Sequence, residues 1–260
     1  MRVIVNEPKL RRNKFLAQVL FFASLGILFV GLLLNASLAL SPLFWIVPCG
    51  ILPLGLLATI TSVRLTNEYV RVPHPEDALE GGLKNINRRS ILYHYMPSAN
   101  HVLVTPTGIY ALHVLFHSRN FVINGDQWVD SKAKGPLAPL FMFLRQEGIG
   151  KPFKDAEMEA AKIQLVVDKA LPDAKIEVQP IVVMIGPKVT VEASRPQYPV
   201  VYSDPRRRPH LKGLLRDEKK RDIPQLTDEQ IDAFHKEMVA TAGTAKLTDT
   251  DTSLEEDAGE

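Results

Sequence analysis

Between Phe15 and Val63 the chain carries no charged residue and no histidine, whereas outside that stretch more than a quarter of all positions are charged. The uncharged stretch splits into two apolar runs, Phe15 to Leu34 (FLAQVLFFASLGILFVGLLL) and Pro42 to Val63 (PLFWIVPCGILPLGLLATITSV), joined by NASLALS at Asn35 to Ser41. A hydrocarbon core about 30 Å thick takes roughly 20 apolar residues of helix, so the pattern predicts a transmembrane hairpin with helices over 15–35 and 42–63. A cleaved signal peptide is the competing reading of the first run, but the run exceeds a usual signal core and a second follows almost at once. Pro48 and Pro53 predict kinks in the second helix, and Trp45 fits an interfacial anchor. Lys9, Arg11, Arg12 and Lys14 precede the first helix, the turn has no Lys or Arg, and Arg64 and Arg71 follow the second. This distribution predicts a multi-pass protein of the cell's inner membrane with both termini cytoplasmic.

On this reading residues 1–14 are a basic cytoplasmic N-terminus and 64–75 a connector. Glu76 to Asn87 reads as a first helix, although Gly81 and Gly82 weaken it by about 1 kcal/mol each. His101 to Val104 and Ile109 to Phe116 read as strands around a TPTG turn, and Phe121 to Ile123 as a third strand ending at an Asn124-Gly125 hairpin turn. A link with Pro136 and Pro139 leads to the apolar patch PLFMFL, Pro139 to Leu144, read as a short helix or a lid. Lys154 to Ala170 has helical spacing, with Met158, Ala161, Ile163, Val166, Val167 and Ala170 on one face and Pro172 as the stop. Val178 to Ile185 reads as a strand buried on both faces, and Val189 to Val191 and Val200 to Tyr202 as shorter strands. Thr227 and Gln230 make a capping box for a last helix, Asp228 to Ala240. The tail 241–260 has six acids against Lys246 and is expected to be disordered. This order of helices and strands places the domain in the α/β (α+β) class.

Cys49 is the only cysteine, so an intramolecular disulfide and a multi-cysteine zinc site are both excluded. Its default reading is a buried, inert thiol in the second apolar helix. The chain has no Walker-type phosphate loop, Rossmann glycine fingerprint, Gly-x-Ser-x-Gly elbow or His-Glu-x-x-His helix.

The segment NHVLVTPTGIYALHV at Asn100 to Val114, followed by NGDQW at Asn124 to Trp128, resembles the nuclease-related domain (NERD) family. The family's core reads roughly Asp-His, an apolar strand, Pro-x-Gly, an aromatic-containing strand ending Glu-x-Lys, and later Asp-Gly-x-x-Trp. The matching positions are His101, Pro106, Gly108, Ile109, Tyr110, Gly125 and Trp128. Glu76, Leu79 and Leu83 look like the family's opening helix, and Lys151-Pro152 like its Asn-Pro segment. The similarity runs over 76–204, half of the chain, and implies a restriction-endonuclease-like fold, a mixed sheet flanked by helices.

In that fold two acids on adjacent strands hold Mg²⁺, and a lysine two residues past the second acid helps to orient or deprotonate the attacking water. The resemblance puts these three roles at Asn100, His113 and Leu115, with Asp155 at a later family glutamine and Glu76 as a further acid. An amide supplies no negative charge, imidazole suits magnesium poorly, and leucine neither holds nor moves a proton. Groups that act as a unit fail together, so the expectation is a degenerate, catalytically silent centre with no resident metal or cofactor. The alternative is a nuclease with an altered metal shell, in which Mg²⁺ would be the cofactor. His101, His113 and His117 could form a two- or three-histidine metal site or be ordinary packed or surface histidines; residues four apart in a strand lie about 13 Å apart, which favours the second reading.

The segment 205–240 carries a basic block, PRRRPHLKGLLRDEKKR at Pro205 to Arg221, in which Arg206, Arg207, Arg208, Lys212, Arg216, Lys219, Lys220 and Arg221 outnumber Asp217 and Glu218. It reads as a solvated helix face, as a surface for anionic lipid headgroups, or as a phosphate-binding surface for nucleic acid. The acidic tail is a candidate competitor that folds back on the block. The sequence thus points to a bacterial-type membrane protein whose domain binds or scaffolds at the bilayer, with nucleic acid as first candidate ligand and a membrane-protein partner as a further one.

Overall fold

The computed structural model describes residues 1–37, 47–130, 150–221 and 224–251. Trp45, the PLFMFL patch and residues 252–260 lie outside the described residues. Two compact units are present: one holds Met1–Lys9 and the described chain from Pro75 onward, the other Leu10–His74.

The second unit is built from helix α1 (Glu7–Ser37), a π-helical turn (Val47–Ile51) and helix α2 (Leu52–Tyr69). Asn6 opens α1, its side-chain Oδ1 accepting the Lys9 backbone N–H at 3.1 Å. Pro48 falls in the π turn and Pro53 in the first turn of α2, where a missing N–H costs little; Cys49, expected to be buried, is exposed in the same π turn. The helix runs six residues past Val63, so Arg64 to Tyr69 belong to it rather than to a connector. Leu10, Ala17, Ser24 and Gly31 are buried at every seventh position of α1, and Gly55, Ser62 and Tyr69 at every seventh of α2. A seven-residue repeat keeps one seam of each helix on its neighbour, and small residues there let the backbones approach closely. The Ser62 hydroxyl donates to the Ala17 carbonyl at 3.1 Å, and a Cβ on Gly55 would come within 2.9 Å of Leu28. Phe15, Phe22, Phe29, Leu32 and Leu57 point outward, each at least 60% exposed. Both helices are long and apolar enough to cross a membrane.

The first unit is a mixed α/β domain. Its strands are β1 (Arg2–Val5), β2 (Ile91–His94), β3 (His101–Thr105), β4 (Gly108–Leu115), β5 (Asn120–Asn124), β6 (Gln127–Asp130), β7 (Gln179–Met184), β8 (Thr190–Ser194), β9 (Val200–Tyr202) and β10 (Thr248–Asp251). Its helices are α3 (Pro75–Gly82), α4 (Pro152–Ala170), α5 (Leu211–Glu218) and α6 (Asp228–Thr241). Seven strands form one sheet in the order β10-β1-β2-β3-β4-β7-β9, and β6-β5-β8 form a second. β2, β3 and β4 make an antiparallel meander, and α4 then carries the chain to β7, parallel to β4. One face of the large sheet packs Val102, Val104 and Ala111 against Ile163 and Val167 of α4 and Phe234 and Met238 of α6. The other packs Leu92, Leu103 and Leu112 against Leu79 of α3 and Leu211 and Leu215 of α5.

Several boundaries differ from the sequence expectation. Arg2–Val5 is not part of a loose basic terminus: it is a strand inside the sheet, parallel to β2 and antiparallel to β10. Four residues with three β-branched side chains suit that position. Thr248–Asp251, expected to be disordered, is the edge strand, and Asp249 pairs with Arg2 at 2.7 Å instead of with the basic block. The domain is therefore not confined to 76–204; the basic segment and α6 pack into the same core. In α4 the buried face is Phe153, Ala156, Ala160, Ile163, Val166 and Val167, leaving Met158 exposed. The Thr227–Gln230 capping box is present, and Gly125 at φ +62 makes the hairpin turn. Gly82 closes α3 because a Cβ there would overlap the Ser203 carbonyl oxygen.

Candidate functional site

In the antiparallel pair β3/β4, Val102 lies opposite Ala111 and Thr105 opposite Gly108. Asn100 immediately precedes β3, and His113 lies on β4 two residues past Ala111, so its side chain shares the face of Ala111 that packs on α4. Their partners come from elsewhere in the chain. The Lys9 ammonium, at the start of α1, donates to the Met96 carbonyl at 3.0 Å and reaches Asn100 Oδ1 at 3.5 Å. His113 Nδ1 lies 3.1 Å from Glu159 Oε1 on α4, and both side chains are mostly buried. Asp155 sits one turn earlier on α4, and it is Glu159 that meets the histidine. Leu115 pairs in register with Met184 and packs into the core that holds Phe121 and Phe153.

The opposite face of the same strands carries a second polar cluster. His94 Nδ1 and His101 Nδ1 are 2.8 Å apart, so one ring donates and the other accepts. His94 Nε2 faces Glu80 Oε1 at 3.5 Å, charge attraction without a well-formed hydrogen bond. The Tyr95 hydroxyl donates to Glu76 Oε2 at 2.5 Å, and Tyr95 is held at φ +61, a conformation that costs an aromatic residue energy. Glu76 and Glu80, four apart on α3, thus reach down to the ends of β2. Burial holds the His101 imidazole well below its ordinary pKa, with smaller pushes from His94, His113 and Lys9. His117 packs edge-on against Phe121 instead of joining the other histidines.

A divalent metal does not fit these residues. Among the described residues no three His, Cys, Asp or Glu side chains lie close enough to hold an ion. Asn100 is an amide, His113 an imidazole already paired with a carboxylate and Leu115 carries no polar group, while the Lys9 ammonium stands beside Asn100. A fixed positive charge there repels a second cation. No family model, curated protein or solved structure matches the chain.

The basic block is divided among several tasks. Arg207 is structural: its guanidinium stacks 3.7 Å over Tyr202 and donates to the Gly186 and Val189 carbonyls. Lys220 pairs with Asp217 and Arg221 with Glu218, each at 2.9 Å, and Lys212 donates to the Lys84 carbonyl at 2.6 Å. Among the described residues, no hydrogen bond or ion pair engages the side chains of Arg206, Arg208, Arg216 or Lys219. The last two, with Lys212, line a cleft of about 540 Å³ at the far end of β2 and β3.

Sequence reasoning missed Lys9, Glu80, His94, Tyr95 and Glu159. Glu80 and Glu159 each follow a singled-out acid by four residues, the helical spacing that shares a face. The ILYHY run at 91–95 was a readable strand. Lys9 had no such signal, because its partners lie some ninety residues away.

Proposed function

We propose that this chain is a membrane-anchored relative of the nuclease-related domain family that does not cleave nucleic acid but binds it through its basic surface, close to the cytoplasmic leaflet. The observation that carries the reading is the occupancy of the motif by the protein's own groups: Lys9 on Asn100, Glu159 on His113, and Leu115 packed into the core. Such a centre has no open acid pair for a metal, and a scaffold that has lost cleavage keeps its surface charges for binding.

Membrane anchoring is supported by the outward phenylalanines and leucines of α1 and α2, which would be costly in water. Residues 1–9 and the described residues from Pro75 onward belong to one unit, so the chain leaves and re-enters that unit on either side of the two helices. Two crossings satisfy that constraint, and the Lys and Arg at both flanks support a reading in which both ends face the cytoplasm.

The test is fluorescence anisotropy of short DNA and RNA with the full-length protein in neutral-lipid nanodiscs, between 50 and 200 mM salt. Binding that weakens steeply with salt is expected, and Arg206→Gln with Arg208→Gln lowers the log–log slope by about 1 to 2. Absence of binding at 50 mM salt would remove the nucleic-acid reading and leave a structural role beside another membrane protein.

A further inference from the structure

We propose that the cleft between the ends of β2 and β3 and helix α5 binds a small nucleoside phosphate, a ligand separate from the nucleic acid of the preceding reading. β2 and β3 run antiparallel, with Ile91 opposite Val104 and His94 opposite His101. The cleft, lined by Ser90 and Thr105, therefore lies at the end of the strands away from the histidine pair and the motif.

Three features define its chemistry. Lys212, Arg216 and Lys219 follow one another at helical spacing along α5 and its C-cap and line one wall, and none of the described lining residues is acidic. Three cations on one wall suit an anion, although Asp217, beside Arg216 on the same helix, offsets part of their charge, and phosphate oxygens accept several charge-assisted hydrogen bonds at once. Ser90 is fully buried, lines the cleft, and its hydroxyl has no hydrogen-bond partner among the described residues. A buried orphan hydroxyl costs free energy unless a ligand or ordered water satisfies it. Finally, Asn85, Asn87 and Gln225 line the same cleft beside Ile86, Pro106 and Leu215. Amides that can pair with a base edge, set among apolar surfaces for a flat ring, extend the fit beyond phosphate alone. The volume lies within the usual range for small-ligand sites. Lys212 keeps two ammonium hydrogens for a ligand after donating to the Lys84 carbonyl.

The experiment is calorimetric titration of the full-length protein in neutral-lipid nanodiscs with ADP and, separately, inorganic phosphate, together with a flotation arm using vesicles that contain phosphatidic acid. Saturable ADP binding is expected, at least tenfold tighter than phosphate. Arg216→Gln with Lys219→Gln, both exposed and so compatible with an unchanged thermal midpoint, should weaken it at least tenfold, and Ser90→Ala severalfold. Arg206→Gln with Arg208→Gln, outside the cleft, should leave it unchanged. No saturable ADP binding at millimolar concentration, or binding indifferent to the Arg216 and Lys219 changes, would overturn the proposal. Phosphate binding as tight as ADP, or vesicle binding without ADP binding, would overturn it equally, because the site would then read a phosphate group and not a nucleoside. Either failure leaves the nucleic-acid surface at Arg206 and Arg208 to stand or fall on its own test.

Discussion

The two ends of β2 and β3 hold the same kinds of side chain and use them in opposite ways. At the Asn100 end Lys9 meets Asn100, His113 meets Glu159, His94 meets His101 and Tyr95 meets Glu76, although His94 Nε2 and Glu159 Oε2 have no hydrogen-bond partner among the described residues. At the Ser90 end three cations and a buried hydroxyl line an open cleft that has no carboxylate among the described lining residues. Charge alone thus does not identify a site. Groups neutralised by their neighbours stabilise a fold, and groups left facing a cavity can bind.

The change expected to break this contrast most completely is removal of β1, which is tied to both ends: the Arg2 amide donates to the Ser90 carbonyl at 3.0 Å and the Asn6 amide to the His94 carbonyl at 3.1 Å. Val3 and Ile4 are buried, at about 1.5–3 kcal/mol each, and two ladders are lost with them. A fragment beginning at residue 64 should lose at least about 5 kcal/mol, comparable with the whole stability of many domains, and show no cooperative melt by circular dichroism. Rejoining residues 1–6 through a flexible linker should restore it. An unchanged melt of the shorter fragment would show that β1 is misplaced here.

A smaller effect separates the two ends. His113→Ala leaves the mostly buried Glu159 carboxylate without its partner and should cost about 1–3 kcal/mol in denaturant unfolding, while ADP titration of the cleft stays as it was. Equal losses at both ends would mean that they are coupled.

Acid gives the mildest probe. Because burial depresses His101 in the folded chain, the unfolded chain takes up its proton first as pH drops. Stability is therefore full above the unfolded pKa of about 6.5 and falls below it, by up to about 1.4 kcal/mol per pH unit. His235, lowered chiefly by its own burial, acts in the same direction. His101→Phe should flatten the decline of the thermal midpoint between pH 6.5 and 5; a decline of unchanged steepness would assign acid sensitivity to other groups.

Much of the fold was legible where a local rule governs it. The charge-free stretch announced two apolar helices, Thr227 and Gln230 the last helix, Asn124-Gly125 the hairpin, and Val200 to Tyr202 a strand. Less was legible where partners are remote. RVIV at Arg2 to Val5 has strand character, but nothing local says that it pairs with residues 91–94 and 248–251, and the basic residues after it read more naturally as a membrane flank. The motif residues Asn100 and His113 could be placed on adjacent strands in advance. That Lys9 and Glu159 would meet them depended on where α1 begins and how α4 rotates on the sheet, which tertiary packing decides. The cleft behind the basic block was illegible for the same reason: Ser90, Thr105 and Lys212 are brought together only by the fold.

The proposed reading, a scaffold related to the nuclease-related domain whose motif is closed by its own side chains, is tested most directly by incubating the full-length protein in nanodiscs with single- and double-stranded DNA and with RNA, in Mg²⁺ and then Mn²⁺. The account predicts intact substrate at every metal concentration, and the same result for His113→Ala. Cleavage that a chelator stops and that His113→Ala abolishes would contradict it, and would make His113 part of an altered metal shell.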